Sequence, residues 1–334
     1  MRKIVGLVAI GLGMFLLALA PLARWYVAPR LEVAPIGCTD TSAICANRVN
    51  LSPSAGIATT LFDPATLTEL SNVPLTGMER VIADVNASKG ANNLTVYDES
   101  QVVFRPGQTV PVAADTMRIP FNGHTSQMIS CCNGNVDGKP IADYSGINPL
   151  KFGFNVQQQT YKYFDRTLNQ ATPMLFTGVE SISGVTVYKF VQTIAPTRVG
   201  TIEVPGSLVG SVAASVFAPE YYANIRTLWV EPVTGVIVKG SEQQKQTLRD
   251  VAGTDKLTLI EATLTFTPAN VQASADAAGS AASQLGLIKT TIPIVGLVLG
   301  IVLLVVGLMM TLGGRRDPRP TQSGSAPAQV AGSA

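Results

Sequence analysis

TTIPIVGLVLGIVLLVVGLMMTL, residues 290–312, runs for 23 positions without a charge. At about 1.5 Å per residue, a helix of this length crosses a hydrocarbon core of roughly 30 Å with some tilt. Lys289 precedes it, and Gly313, Gly314, Arg315 and Arg316 close it. A buried helix of a water-soluble core would normally keep a polar face. This stretch has none, so it reads as a transmembrane helix, and everything N-terminal to it must be fitted to that anchor.

The other end of the chain offers a second span. Residues 1–3 are a basic start, and residues 4–23 are apolar. Ala18-Leu19-Ala20 has the form of a signal-peptide cleavage site, but Pro21 follows it and disfavours cleavage, and the run exceeds a usual signal core. An uncleaved anchor is the expectation. Arg2 and Lys3 lie before the first span, and Arg315 and Arg316 lie after the second. Basic flanks stay on the cytoplasmic side. Both ends are therefore expected in the cytoplasm, with residues 24–289 outside the plasma (inner) membrane and residues 313–334, rich in Gly, Pro, Ser and Ala, as a disordered tail. Trp25 and Tyr26 would sit at headgroup level.

Composition agrees. The 334 residues are 46% hydrophobic and only 14% charged. Once the basic residues outside the spans are set aside, the large middle segment is slightly acidic, which argues against nucleic acid as a partner. All four cysteines, Cys38, Cys45, Cys131 and Cys132, fall in that segment. An even count on an oxidising side suggests two disulfides, either Cys38–Cys45 with a vicinal Cys131–Cys132 bridge or a crossed pairing. The chain's single histidine, His124, and the absence of a Cys-x-x-Cys spacing argue against a metal site.

The middle segment reads as strands and turns. Residues 94–97 and 101–104 are short β-prone runs around Asp98, Glu99 and Ser100, the pattern of a hairpin. In TVYKFVQT, residues 186–193, Val187, Lys189 and Val191 share one face and Tyr188, Phe190 and Gln192 the other. The clearest hairpin is TLWV, EPVTG, VIVK over residues 227–239. In LTLIEATLTF, residues 257–266, the face with Ile260, Ala262, Leu264 and Phe266 is the more apolar. Helices are expected only at residues 208–216 and 270–287.

No sequence signature marks a catalytic centre. His124 has no Gly-x-Ser-x-Gly elbow to serve, and no phosphate loop or dinucleotide fingerprint occurs. His124 reads as a surface-loop histidine, and the protein is not expected to be an enzyme or to need a cofactor. Phe152, Phe154, Tyr161, Tyr163 and Phe164 cluster around Gln157-Gln158-Gln159. They read either as the core of a hairpin or as a ligand-facing wall.

LAPLARWYVAPRLEVAP near the start, then FDPATL, TYKYFD, VYKF, VPGSL, YYANIRTLWVEPVTGVIVKG and the final apolar run together resemble the actinobacterial two-pass envelope proteins of the PorA porin family, over about residues 15–312. The vicinal Cys131-Cys132 resembles them too. The resemblance implies an ectodomain similar to class B scavenger receptors. That means a β-rich α+β domain with a barrel-like mixed or antiparallel core and helical decorations, held between two transmembrane helices and enclosing an apolar passage for lipid. It implies traffic of membrane lipid or glycolipid, such as mycolyl-trehalose or lipoglycan precursors, beside a mycolate-lipid exporter. The expected function is lipid or glycolipid binding or transfer, with the 152–164 aromatics on the passage wall. A ligand-free scaffold or regulator of a transporter and an extracytoplasmic hydrolase are the alternatives.

Overall fold

The computed structural model describes residues 2–36, 50–88 and 93–312. The Cys38–Cys45 pair and the 313–334 tail lie outside these residues. The chain divides into two compact units, one of residues 1–28 with 287–334 and one of Pro29–Gly286.

The first unit is a helix pair. Helix α1 spans Arg2–Leu22, and a π-helical turn, Ala23–Val27, follows it. Pro21 lacks the N–H that would continue the ladder, and the widened turn lies directly after it. A short helix α2, Ala28–Leu31, comes next and leads out of this unit. On the C-terminal side a second π-helical turn, Leu287–Thr291, precedes a helix at Ile292–Leu312. Arg24 Nη1 donates to Lys289 O at 2.7 Å and joins the two π-helical turns.

The two long helices meet along small residues spaced seven apart. Gly6, Gly13 and Ala20 are the buried residues of α1, and Pro293, Gly300 and Gly307 those of the facing helix. A seven-residue spacing keeps one seam on one partner, and small side chains let the backbones approach. Gly13 lies against Gly300 and Gly6 against Gly307 and Thr311, so the pair is antiparallel. A Cβ at Gly13 would stand 2.8 Å from Gly300 O, whereas one at Gly11 would meet nothing within 4 Å. Gly13→Leu should therefore weaken the pair by about 1–3 kcal/mol, as overpacking does. Thermal unfolding of the full chain in one detergent should show that loss, while Gly11→Leu should leave the stability unchanged.

The second unit is built on one antiparallel sheet. Its strands are β1 Asn50–Asp63, β2 Thr68–Ala83, β3 Leu94–Phe104, β4 Ala113–Asn122, β5 Asn135–Val136, β6 Lys139–Pro140, β7 Tyr161–Asp165, β8 Gln170–Ile182, β9 Val185–Pro205, β10 Ser215–Val230, β11 Ile237–Arg249 and β12 Asp255–Phe266. They lie in the order β6-β5-β4-β3-β2-β1-β12-β11-β10-β9-β8-β7. Every paired strand is antiparallel, so the mixed option drops out. The sheet curls into a half-barrel whose flanks are stitched together. Ile147 bridges Tyr163 of β7 and Gln127, and Met128 bridges Phe121 of β4. Phe164 of β7 shares a buried cluster with Tyr97 of β3 and with Met117, Ile119 and Phe121 of β4.

A helix α3, Pro268–Gly286, covers part of the outer face. Its Ala275 and Ala278 pack on Val187, Trp229 and Val238, the odd-numbered face of β9 and the adjoining strands. With this helix introduced, the C-terminal membrane-length helix, Ile292–Leu312, is α4.

Two local expectations are corrected. Residues 94–104 form one strand, not a hairpin. Asp98 is turned outward and paired bidentately with Arg118 on β4 at 2.8 Å, and Glu99 is turned inward and paired with Arg166 at 2.7 Å. Charges satisfied across strands need no turn. Residues 208–216 do not form a helix; a 3-10 turn at Gly206–Val209 ends at Gly210, whose φ is +72°, and β10 has begun by Ser215. The expected hairpin over 227–239 is present, and Glu231 holds its turn by accepting from Val233 N, Thr234 N and Thr234 Oγ1 at 2.6–2.9 Å.

Candidate functional site

The strand register sorts the inward face into layers. Toward the end of the half-barrel that holds the β1–β2 turn, Ala58, Leu61, Leu75, Val103, Ile260 and Ala262 form one apolar cluster. Val204, Val209, Ala218, Leu248 and Leu257 form another, with Leu208 and Val209 folding in from the 3-10 turn. At the opposite end lie Ile147, Phe152, Tyr163, Met174, Phe190, Leu228 and Val230. Between the ends the same parity that carries apolar side chains elsewhere carries Glu79 on β2, Glu99 and Gln101 on β3, Gln192 on β9, Asn224 and Arg226 on β10, and Glu242, Gln244 and Gln246 on β11. The inward face is thus not one continuous apolar track. A polar belt divides it.

Arg226 is the hub of the belt. Its Nη1 lies 3.0 Å from Asp165 Oδ2, its Nε donates to Glu242 Oε1 at 2.6 Å, and its guanidinium sits 5.6 Å from the Tyr163 ring centre. Asp165 also accepts from Tyr222 Oη at 3.2 Å and from Leu168 N at 3.0 Å. Gln192 donates to Tyr163 O and to Thr172 Oγ1 and accepts from Arg226. Asp165 and Gln192 are fully buried. Buried charges persist only when paired and hydrogen-bonded, and this part of the belt meets that condition.

The other part carries surplus acid. Glu79 is pushed up to about 7, first by burial and then by its neighbours Glu99 and Glu242, with Arg166 opposing. The Glu99 carboxyl that raises it is fully inward and lies 2.7 Å from Arg166. Glu242 is held low, the Arg226 guanidinium outweighing the burial that would raise it. Glu242 nevertheless keeps 38% of its side chain accessible, and Gln101, Gln244 and Gln246 are half-buried. Water therefore reaches this side of the belt. Asn224 is buried, and its Oδ1 has no hydrogen-bond partner among the described residues.

The outward face differs. It carries exposed ion pairs, Lys245 with Glu261 at 3.2 Å and Lys189 with Glu180 at 3.1 Å. Trp229 lies there between Lys189 and Lys239, and its indole N–H donates to Glu180. A strand wall facing acyl chains alternates apolar side chains outward; this wall presents charge.

The aromatics singled out from the sequence are not one group. Phe152, Tyr161 and Tyr163 pack together with Phe190, with ring centres 4.9–5.8 Å apart. Phe164 faces the β3–β4 cluster instead. Phe154 is half-buried, stacked on His124 at 5.9 Å and 4.4 Å from Lys151 Nζ. The loop carrying Phe152 and Phe154 is pinned to the 231–236 turn: Phe152 N donates to Gly235 O, Asn155 N to Val233 O and Val156 N to Pro232 O. Gly235 has a φ of +74° and abuts the Phe152 and Gly153 carbonyls, so a side chain is excluded there. His124 is half-buried rather than a free surface residue, and its Nδ1 lies 2.7 Å from Glu32 O. It ties down the arm that leads into this unit. Burial lowers Lys151 to about 7, its amine donating to Phe152 O at 2.7 Å. Cys131 and Cys132 are joined as the vicinal bridge. Among the described residues no group of three or more His, Cys, Asp or Glu could hold a metal ion.

The family model described as Porin PorA matches residues 5–309. Porin PorA of Corynebacterium amycolatum is 31% identical over 145 residues, which take in 36% of this chain and 38% of that protein. The chain thus spans under half the length of this relative. Porin PorA of Corynebacterium resistens is 24% identical over 412 residues, taking in 96% of this chain and 99% of that protein.

Proposed function

We propose, from the premise that the chain belongs to the Porin PorA family, that it is a membrane-anchored binder of amphiphilic lipid. The two apolar helices and the family make it a membrane-associated protein. In our reading α1 and α4 hold it in the inner membrane with both ends cytoplasmic, and the sheet unit works outside. The carrying observation is the inward face, where water-accessible carboxylates and amides lie directly beside apolar layers. Glu242, Gln244 and Gln246 of β11 stand across from Leu264, Ala262 and Ile260 of β12. An amphiphile matches that division: acyl chains bury against the apolar layer, at about 0.8 kcal/mol per CH₂, and a polar head meets the belt. The unpaired Asn224 Oδ1 and the surplus carboxylates favour a head rich in hydroxyl donors, as in a glycolipid.

The outward ion pairs favour a sheet standing in water over a strand wall in lipid, so we read the molecule as a binder or transfer protein rather than as a pore. In the same reading it is non-catalytic and works beside a membrane exporter of such lipids.

The test is mass spectrometry of lipid co-purified with the full chain in mild detergent. A specific lipid should be retained, and Ala262→Glu, which places a charge in the apolar layer opposite Gln244, should deplete it while the far-ultraviolet circular dichroism persists. A wild-type chain that carries only the bulk membrane composition would reject the proposal.

A further inference from the structure

The antiparallel order of the sheet gathers four hairpin tips at one end. The β1–β2 turn, the β3–β4 loop, the β9–β10 loop and the β11–β12 turn all lie at the end opposite to the arm at residues 32–36 and to helix α3. Each tip presents an apolar side chain outward. These are Leu67, Val110, Val212 and Val251, and Phe217 stands beside them at the start of β10. Val212 and Val251 are fully exposed, and Val110 is 75% exposed. The PATL and GSLVGSVAA tips are otherwise small and uncharged, while Arg105 opens the β3–β4 loop and Asp250 the β11–β12 turn, paired with Asp63 and Lys256 at 3.3 Å each.

We infer that this rim inserts into a second lipid surface. The spacing decides between a lipid and a protein partner. Adjacent hairpins in a sheet lie two strand spacings apart, about 10 Å. Single apolar side chains set that far apart, on separate tips, do not make the contiguous buried patch that a stable protein interface requires. Each can enter an acyl layer independently, because a fluid layer needs no complementary shape. The inference is independent of ligand binding in the half-barrel, since it uses none of the belt or the inward layers. It adds a second membrane contact to a chain already anchored by α1 and α4.

The experiment places the full chain in nanodiscs and adds vesicles of phosphatidylcholine alone, or of equimolar phosphatidylcholine and phosphatidylglycerol. Flotation measures the fraction of nanodiscs carried with the vesicles. The wild type should float with both, because insertion is apolar. Val212→Asp and Val251→Asp should each lower the partition about tenfold, and the pair together should abolish it. Val179→Asp, at an exposed position of β8 away from the rim, should leave flotation unchanged. Tip substitutions touch no core, so thermal unfolding should not move, and this separates lost insertion from lost fold. Flotation equal for the wild type and the double variant, or none for the wild type with either vesicle, would overturn the inference. Flotation only with phosphatidylglycerol would also overturn it, by assigning the contact to charge.

Discussion

Arg226→Met should destabilise the sheet unit by about 3–5 kcal/mol, among the largest single effects expected in the chain. The reason is what the substitution leaves behind. Asp165 is fully buried and has Arg226 Nη1 at 3.0 Å as its cation, and Glu242 loses the guanidinium that holds it low. Methionine fills much of the volume, so the loss is electrostatic rather than a cavity. An internal control follows. Asp165→Asn and Glu242→Gln, added to Arg226→Met, remove the orphaned charges and should recover a large part of the loss, because neutral buried groups cost far less than unpaired ions. Thermal unfolding of the full chain in micelles, followed by tryptophan fluorescence and by protease resistance, reads both. If the triple variant is as unstable as the single one, Arg226 acts through packing on Tyr163 and the charge argument fails.

The belt also shows where the sequence could and could not be read. The two long apolar helices were legible because length and lack of charge are local properties. So was the 227–239 hairpin, whose β-branched strands flank a turn with Pro and Gly. The seven-residue spacing of Gly6, Gly13 and Ala20 against Pro293, Gly300 and Gly307 was also available, but only by setting the chain's two ends side by side. The belt's members come from β2, β3, β7, β9, β10 and β11, and no local window contains an acid with its base. One clue was present. In YYANIRTLWV, Asn224 and Arg226 share the parity of Leu228 and Val230, so a polar side chain had to point where the hairpin's core points. Residues 94–104 misled for the same reason. Asp98 and Glu99 look like a turn until Arg118 and Arg166 are brought opposite them. The aromatic cluster failed as a unit because strand alternation sends Tyr163 and Phe164 to different neighbours.

Glu79 makes stability depend on pH in a direction opposite to most carboxylates. Its folded value of about 7 lies above the ordinary 4.5, through burial first and the Glu99 carboxyl second. Below pH 4.5 the side chain is protonated in both folded and unfolded chains and contributes no difference. Between 4.5 and 7 the unfolded chain has lost this proton while the folded one keeps it, so stability falls as pH rises. Above 7 the folded state ionises as well and the penalty is complete. A shift of this size corresponds to about 3 kcal/mol. Glu79→Gln keeps the shape and removes the titration. It should therefore raise stability by about 2–3 kcal/mol at pH 8 and change little at pH 4.5. Other groups titrate over the same range, so the readout is the difference between wild type and variant at each pH, taken from thermal unfolding in one detergent. A difference that is flat across the range, or that grows toward acid, would mean that Arg166 keeps Glu79 ionised throughout. Glu79 would then be a standing negative charge of the belt rather than a neutral acid at low pH.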